Sequence, residues 1–199
     1  MKNTKRFKSL VLAGVVTLGL IGTSYAAMPE MGQNTDEKVV QAVERLSALG
    51  VVNGMDDGKY HEEMKVTREQ FAKILVETLG IGNSVAKANG VTNFNDVESS
   101  RWSSGYINVA VERGLIKGYP DGTFKPAAEV SYAEAITMLV RALGYKDELL
   151  KGSWPENYIS KATDVKITSD VKFTSATEKA DRGAVALLVN NTLNAKIFK

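Results

Sequence analysis

The chain has no cysteine. Thiol nucleophiles, thiolate metal sites and disulfide staples are thereby excluded, and the fold must rest on its apolar core. Histidine is nearly as scarce: His61 is alone among 199 residues and falls in a loop, where a solvated role is expected. Carboxylates are plentiful, but no pair is set apart by spacing. No catalytic residue, no metal and no cofactor are predicted, and the chain is not expected to be an enzyme. Tryptophan occurs only twice, as Trp102 and Trp154.

Long apolar runs are also lacking, with one exception near the N-terminus. Lys2, Lys5, Arg6 and Lys8 precede the apolar run Leu10–Ile21, and Ser24-Tyr25-Ala26 follows with small residues at the positions a signal peptidase reads. Twelve helical residues reach only about 18 Å, short of the roughly 30 Å hydrocarbon core. Residues 1–26 are therefore predicted to be a secretory signal peptide. No transmembrane segment is expected in the mature chain, which would be secreted. Removing the four basic residues of this segment from the 25 Lys+Arg leaves 21 against 23 Asp+Glu, so the net charge moves from +2 to −2. The basic character belongs to the precursor, and nucleic acid is not an expected partner.

What the chain does have is a block that occurs twice, 64 residues apart. Residues 50–80 read GVVNGMDDGKYHEEMKVTREQFAKILVETLG, and residues 114–144 read GLIKGYPDGTFKPAAEVSYAEAITMLVRALG. Such a period marks a duplicated supersecondary unit. Helical spacing of Val39, Val43 and Leu46 predicts a helix closed by Gly50; Phe71, Ile74 and Leu75 predict a second one after Thr67. The second block repeats this order. A third, worn copy keeps Trp154, Tyr158 and Ala162 at an offset of 52 from Trp102, Tyr106 and Ala110. The expected organisation is a flexible segment 27–35, unit 1 at 36–82, a linker at 83–91, unit 2 at 92–146 and a degenerate unit 3 at 147–199. The class is mainly all-α. The Asp-Gly loops do not carry an EF-hand pattern: Met55 and Met64 in the first, Lys117 and Ala128 in the second, stand where oxygen ligands are needed.

Thr67-Arg68-Glu69-Gln70 and Ser131-Tyr132-Ala133-Glu134 are capping boxes that explain their first and fourth positions. Glu178-Lys179-Ala180-Asp181 is the expected counterpart in unit 3. A cation at the second position lies beside the positive end of the helix dipole. Arg68 and Lys179 there suggest an anion bound between cation and helix, or simply a solvated charge.

Phe94-x-Asp96-Val97, Trp102, Tyr106-Ile107, Gly114-Leu115-Ile116, Gly118-Tyr119-x-Asp121-Gly122-Thr123-Phe124 and the Ser131 box together resemble the S-layer homology domain family. The resemblance covers nearly the whole chain after the leader. It implies three helix–loop–helix units about a pseudo-threefold axis with a central helical bundle. It also implies non-catalytic attachment to the cell wall or surface layer. The implied partner is a secondary cell-wall polysaccharide carrying pyruvate ketals, or a peptidoglycan-linked glycan, bound in grooves between units. An alternative is a structural or assembly module that binds other surface-layer proteins. Carried onto this sequence, the basic ligand position falls on Arg68 and Lys179, and in unit 2 on Tyr132, which cannot pair with a carboxylate as a cation. Trp102 and Trp154 stack on sugar or pack in the core. Gly54 and Gly118 admit a ligand to the backbone or serve the turn.

Overall fold

A computed structural model describes residues 28–198; the predicted signal peptide lies outside the described residues. Among those described there are seven α-helices and no strand: α1 (Glu37–Ala48), α2 (Arg68–Thr78), α3 (Val85–Ala88), α4 (Ser104–Glu112), α5 (Tyr132–Ala142), α6 (Glu156–Asp164) and α7 (Arg182–Asn194). The mainly helical class is as the sequence predicts. No helix of the described residues is long and apolar enough to cross a membrane.

Each unit contributes two main helices, but these do not pack on each other. The first helix of each unit packs on the second helix of the preceding one: α4 on α2, α6 on α5, and α1 on α7. The second helices α2, α5 and α7 touch one another and form the centre. Their inward residues, among them Phe71, Leu75, Ile136, Leu139, Val185 and Leu188, are fully buried or nearly so. Because α1 closes onto α7, the first and last units are neighbours, and the arrangement is cyclic.

The N-termini of the central helices lock this ring. Val66 donates its N–H to the Ala180 carbonyl, Ala180 to Val130, and Val130 back to Val66. Three isolated bridges, Thr67 with Glu129, Ser131 with Lys179 and Asp181 with Lys65, follow the same rotation. The next amides are used in the same way. Arg68 and Glu69 donate to Ala128 and Pro126, Tyr132 and Ala133 to Glu178 and Ala176, and Arg182 and Gly183 to Met64 and Glu62. The otherwise unpaired donors of three helix starts are thus met by a neighbouring unit's carbonyls.

Two segments outside the main helices make defined contacts. In the segment 27–35, Glu30 bridges Lys59 and its carbonyl accepts the Tyr60 N–H. Unit 1 lacks the Phe-x-Asp-Val stretch, and Pro29 packs against Gly54 where Phe94 packs against Gly118 in unit 2. The stretch 83–91 folds as well, since α3 lies on α4 so closely that a Cβ on Gly105 would come within 2.6 Å of the Val85 carbonyl oxygen.

Candidate functional site

The threefold arrangement produces one kind of corner three times. Each corner is made of a unit's loop and second helix, the first helical residue of the preceding unit's central helix, and a residue from the start of the following unit's first helix. In the first corner these are Gly54, Gln70 and Lys73, with Arg182 from unit 3 and Trp102 from unit 2; they line a groove of about 250 Å³. In the second they are Gly118, Glu134 and Thr137, with Arg68 from unit 1 and Trp154 from unit 3; this groove measures about 400 Å³.

The structure therefore brings Arg68, Trp154 and Gly118 together, and places Trp102 with Gly54 in the equivalent corner. Both indoles are half exposed, at 52% and 54%, which decides between their two readings: they wall the grooves and are not core. The Trp154 indole is steadied by donating to the Thr137 hydroxyl at 2.9 Å. The glycines face the protein on the side a Cβ would occupy. At Gly118 that atom would lie 2.2 Å from the Phe94 ring and 2.8 Å from the Thr123 carbonyl oxygen; at Gly54 it would lie 2.9 Å from Pro29. They are required by the turn's packing, although their backbone lines the grooves. The turn aspartates are likewise used locally, Asp57 accepting from the Lys59 N–H and Asp121 from the Thr123 N–H.

Lys179 is not the third cation. The oxygen that caps α7 is that of Asp181, which accepts the Ala184 N–H at 2.8 Å. The first helical residue is consequently Arg182, three residues beyond the expected position, and Lys179 lies outside both grooves in the ring of bridges. A sequence signal did exist: aspartate is a strong N-cap and Asp181-Arg182 repeats the order of Thr67-Arg68, whereas Glu178 is not a preferred cap. Glu178 instead accepts from the Thr174 N–H and hydroxyl.

The two arginines begin alike. Arg68 Nε donates to the Phe124 carbonyl at 2.8 Å and Arg182 Nε to the Tyr60 carbonyl at 2.7 Å, and each guanidinium lies over that same aromatic ring. Beyond this they diverge. Arg68 is 4% exposed and pairs with Glu134 at 2.9 Å. The anion that a cation at this position called for is thus part of the protein. Burial pushes the Glu134 carboxyl up, but hydrogen bonds from Ser131 and Tyr119 and the Arg68 charge outweigh it and hold the group below its usual range. The Tyr119 phenol is raised to about 12, by burial and by its bond to Glu134. At the position of Glu134, unit 1 has the uncharged Gln70, which completes its capping box without a charge. Arg182 donates instead to the Asn53 carbonyl at 2.8 Å. Among the described residues neither Arg182 nor Lys73 has a carboxylate within ion-pair distance.

Tyr132 marks the third corner, which is closed. The ring is 2% exposed and stacks on Phe173, with centroids 4.7 Å apart, and burial raises its phenol to about 12. Where the other corners have tryptophan, this one has Lys38, paired with Asp170 of the third loop at 2.5 Å. Tyr132 fills space between units and is not at an open groove.

Comparison with known proteins matches the S-layer homology domain over residues 34–72 and 93–136. The chain is 35% identical over 199 residues to the middle cell wall protein of Brevibacillus brevis, covering 98% of this chain and 18% of that protein. It is 32% identical to the surface layer protein of Brevibacillus choshinensis, with 100% of this chain and 18% of that protein covered. Against the cellulosome-anchoring protein of Acetivibrio thermocellus the identity is 31% over 103 residues, 51% of this chain and 23% of that protein. The chain thus spans less than a fifth of the length of the first two relatives.

Proposed function

Since this chain belongs to the S-layer homology domain family, we propose that it attaches non-catalytically to the bacterial cell wall by binding an anionic wall polysaccharide, and that it works at the cell surface. The observation that carries this reading is the first groove. There an arginine and a lysine, neither paired to a carboxylate, face an exposed tryptophan across a cleft made by three units. An indole face suits the C–H face of a pyranose, and a guanidinium suits the single carboxylate of a pyruvate ketal, which it can hold with two parallel bonds. The cations are Arg182 and Lys73. Arg68, already committed to Glu134, has a supporting part in the second groove.

Co-sedimentation with purified walls tests this. Wall material with pyruvylated polymer retains the protein, and the Arg182→Gln, Lys73→Gln double variant is released. Equal retention by walls stripped of the polymer would remove the proposal. Surviving retention of the double variant would remove the groove chemistry.

The closed third corner favours a second reading for that face, a structural surface toward other envelope proteins. A protein partner that still binds when both open grooves are disabled would support it.

A further inference from the structure

The two open grooves differ in charge, and we propose that they take different saccharide units: the first an anionic one, the second an uncharged one. This rests on the reading that the grooves take wall saccharide. It goes further in assigning the second groove a ligand without charge.

Every charge that lines the second groove is already matched within the protein. Arg68 is paired with Glu134, which also accepts from the Ser131 N–H, the Ser131 hydroxyl and the Tyr119 phenol. Lys117 and Arg141, at the other end, share the carboxylate of Asp147, at 2.9 and 3.1 Å, and the Tyr158 hydroxyl donates to it as well. Burial pushes the Asp147 carboxyl up, yet these donors hold it well below the usual range, so it stays charged. A ligand carboxylate entering here would meet Glu134 at one end and Asp147 at the other. It would have to displace an anion held by several donors in order to reach a cation. An uncharged ring meets no such barrier.

The walls between the charges are apolar. Pro120 and Met138 stand beside Trp154. In the first groove Ile74 stands in place of Met138, and the hydroxyl of Thr137 is replaced by the ammonium of Lys73; Asp56, at the sequence position of Pro120, is not among the lining residues. The apolar face of an uncharged pyranose fits the indole, and its apolar substituents fit the thioether and the proline ring.

The two tryptophans give one reporter per groove. In proton–nitrogen correlation spectra of the labelled protein, the Trp102 and Trp154 indole N–H signals can be followed separately. The probes are a methyl N-acetylhexosaminide and the same glycoside carrying a 4,6-linked pyruvate ketal. The uncharged glycoside is expected to shift Trp154, with an affinity that salt leaves nearly unchanged. The ketal glycoside is expected to shift Trp102, with affinity falling at least about threefold from low to high salt as the ionic contact is screened. Arg182→Gln should abolish the second response and leave the first, which also shows that the variant is folded. An unmoved Trp154 signal with the uncharged glycoside, or a ketal glycoside that shifts Trp154 as strongly as Trp102, overturns the assignment. An unmoved Trp102 signal with the ketal glycoside overturns instead the anionic reading of the first groove.

Discussion

Replacing Arg68 by alanine should damage the fold before it damages any binding. The guanidinium is 4% exposed and its partner Glu134 is largely buried, with a side-chain exposure of 16%. Removing one member of a buried pair costs about 3–5 kcal/mol, because the other charge is left without a partner. Glu134 keeps its Ser131 and Tyr119 donors, which places the loss near the lower end, about 3 kcal/mol. For a domain of this size each kcal/mol moves the melting temperature by about 2–4 °C, so Arg68→Ala should melt about 6–12 °C early. Unit 1 suggests the rescue. Gln70 makes the same capping box with no charge, so Glu134→Gln in the Arg68→Ala background removes the stranded anion and keeps the cap. The double variant should recover about half of the loss, the remainder being the guanidinium's contacts with Phe124 and Tyr119. Calorimetric melting of the four proteins in the cycle measures this. A single variant within about 2 °C of the parent, or a double variant no more stable than the single one, would refute the ion-pair reasoning.

Gly118→Ala should lower the melting temperature more than Gly54→Ala, since the added carbon would meet the Phe94 ring at 2.2 Å and the Thr123 carbonyl at 2.8 Å in the first case, but Pro29 at 2.9 Å and the Lys59 carbonyl at 3.2 Å in the second; equal shifts in thermal melts would contradict this. His61 is held by Asp57 at 2.7 Å, a bond that raises its pKa. Its contribution to stability is accordingly full below the unfolded value of about 6.5 and is lost as pH rises through the folded value. Denaturant midpoints should therefore fall slightly more between mildly acidic and mildly alkaline pH for the parent than for His61→Asn, which keeps a residue tolerant of the φ of +54° found there. The Arg182→Gln, Lys73→Gln pair should leave melting less disturbed than Arg68→Ala, because it strands no buried carboxylate, while removing the salt-sensitive part of wall binding measured by co-sedimentation at low and high salt.

The elements visible in the sequence are those built by local chemistry. Gly50 and Gly114 end helices with φ of +72° and +70°, and the Thr67 and Ser131 caps close their boxes within four residues. Repetition made them conspicuous. What the sequence hid is carried across the ring. Arg68 meets the Phe124 carbonyl 56 residues away, and Arg182 meets that of Tyr60 at a distance of 122 residues. Neither partner has any local signature, so Arg68 invited a ligand anion when Glu134 was already in place. The third cation is hidden because Glu178-Lys179 stands where the repeat puts a cap and its cation, while the better capping side chain, Asp181, starts α7 three residues later. The tryptophans lay open to two readings because an aromatic at helix spacing suits a core and a cleft equally, and only the packing of α4 on α2 and of α6 on α5 decides between them.

The ring of backbone bonds through Val66, Ala180 and Val130 has a consequence for descent. Each unit gives one N–H and accepts one, so a chain of a single unit could close the ring only by associating as a trimer with three identical corners. Joining three copies into one polypeptide releases that identity. Each corner can then change alone: one keeps an unpaired cation, one neutralises its arginine with Glu134, and one is filled by Tyr132 and Phe173. Covalent linkage is what permits a symmetric scaffold to hold three different answers at once.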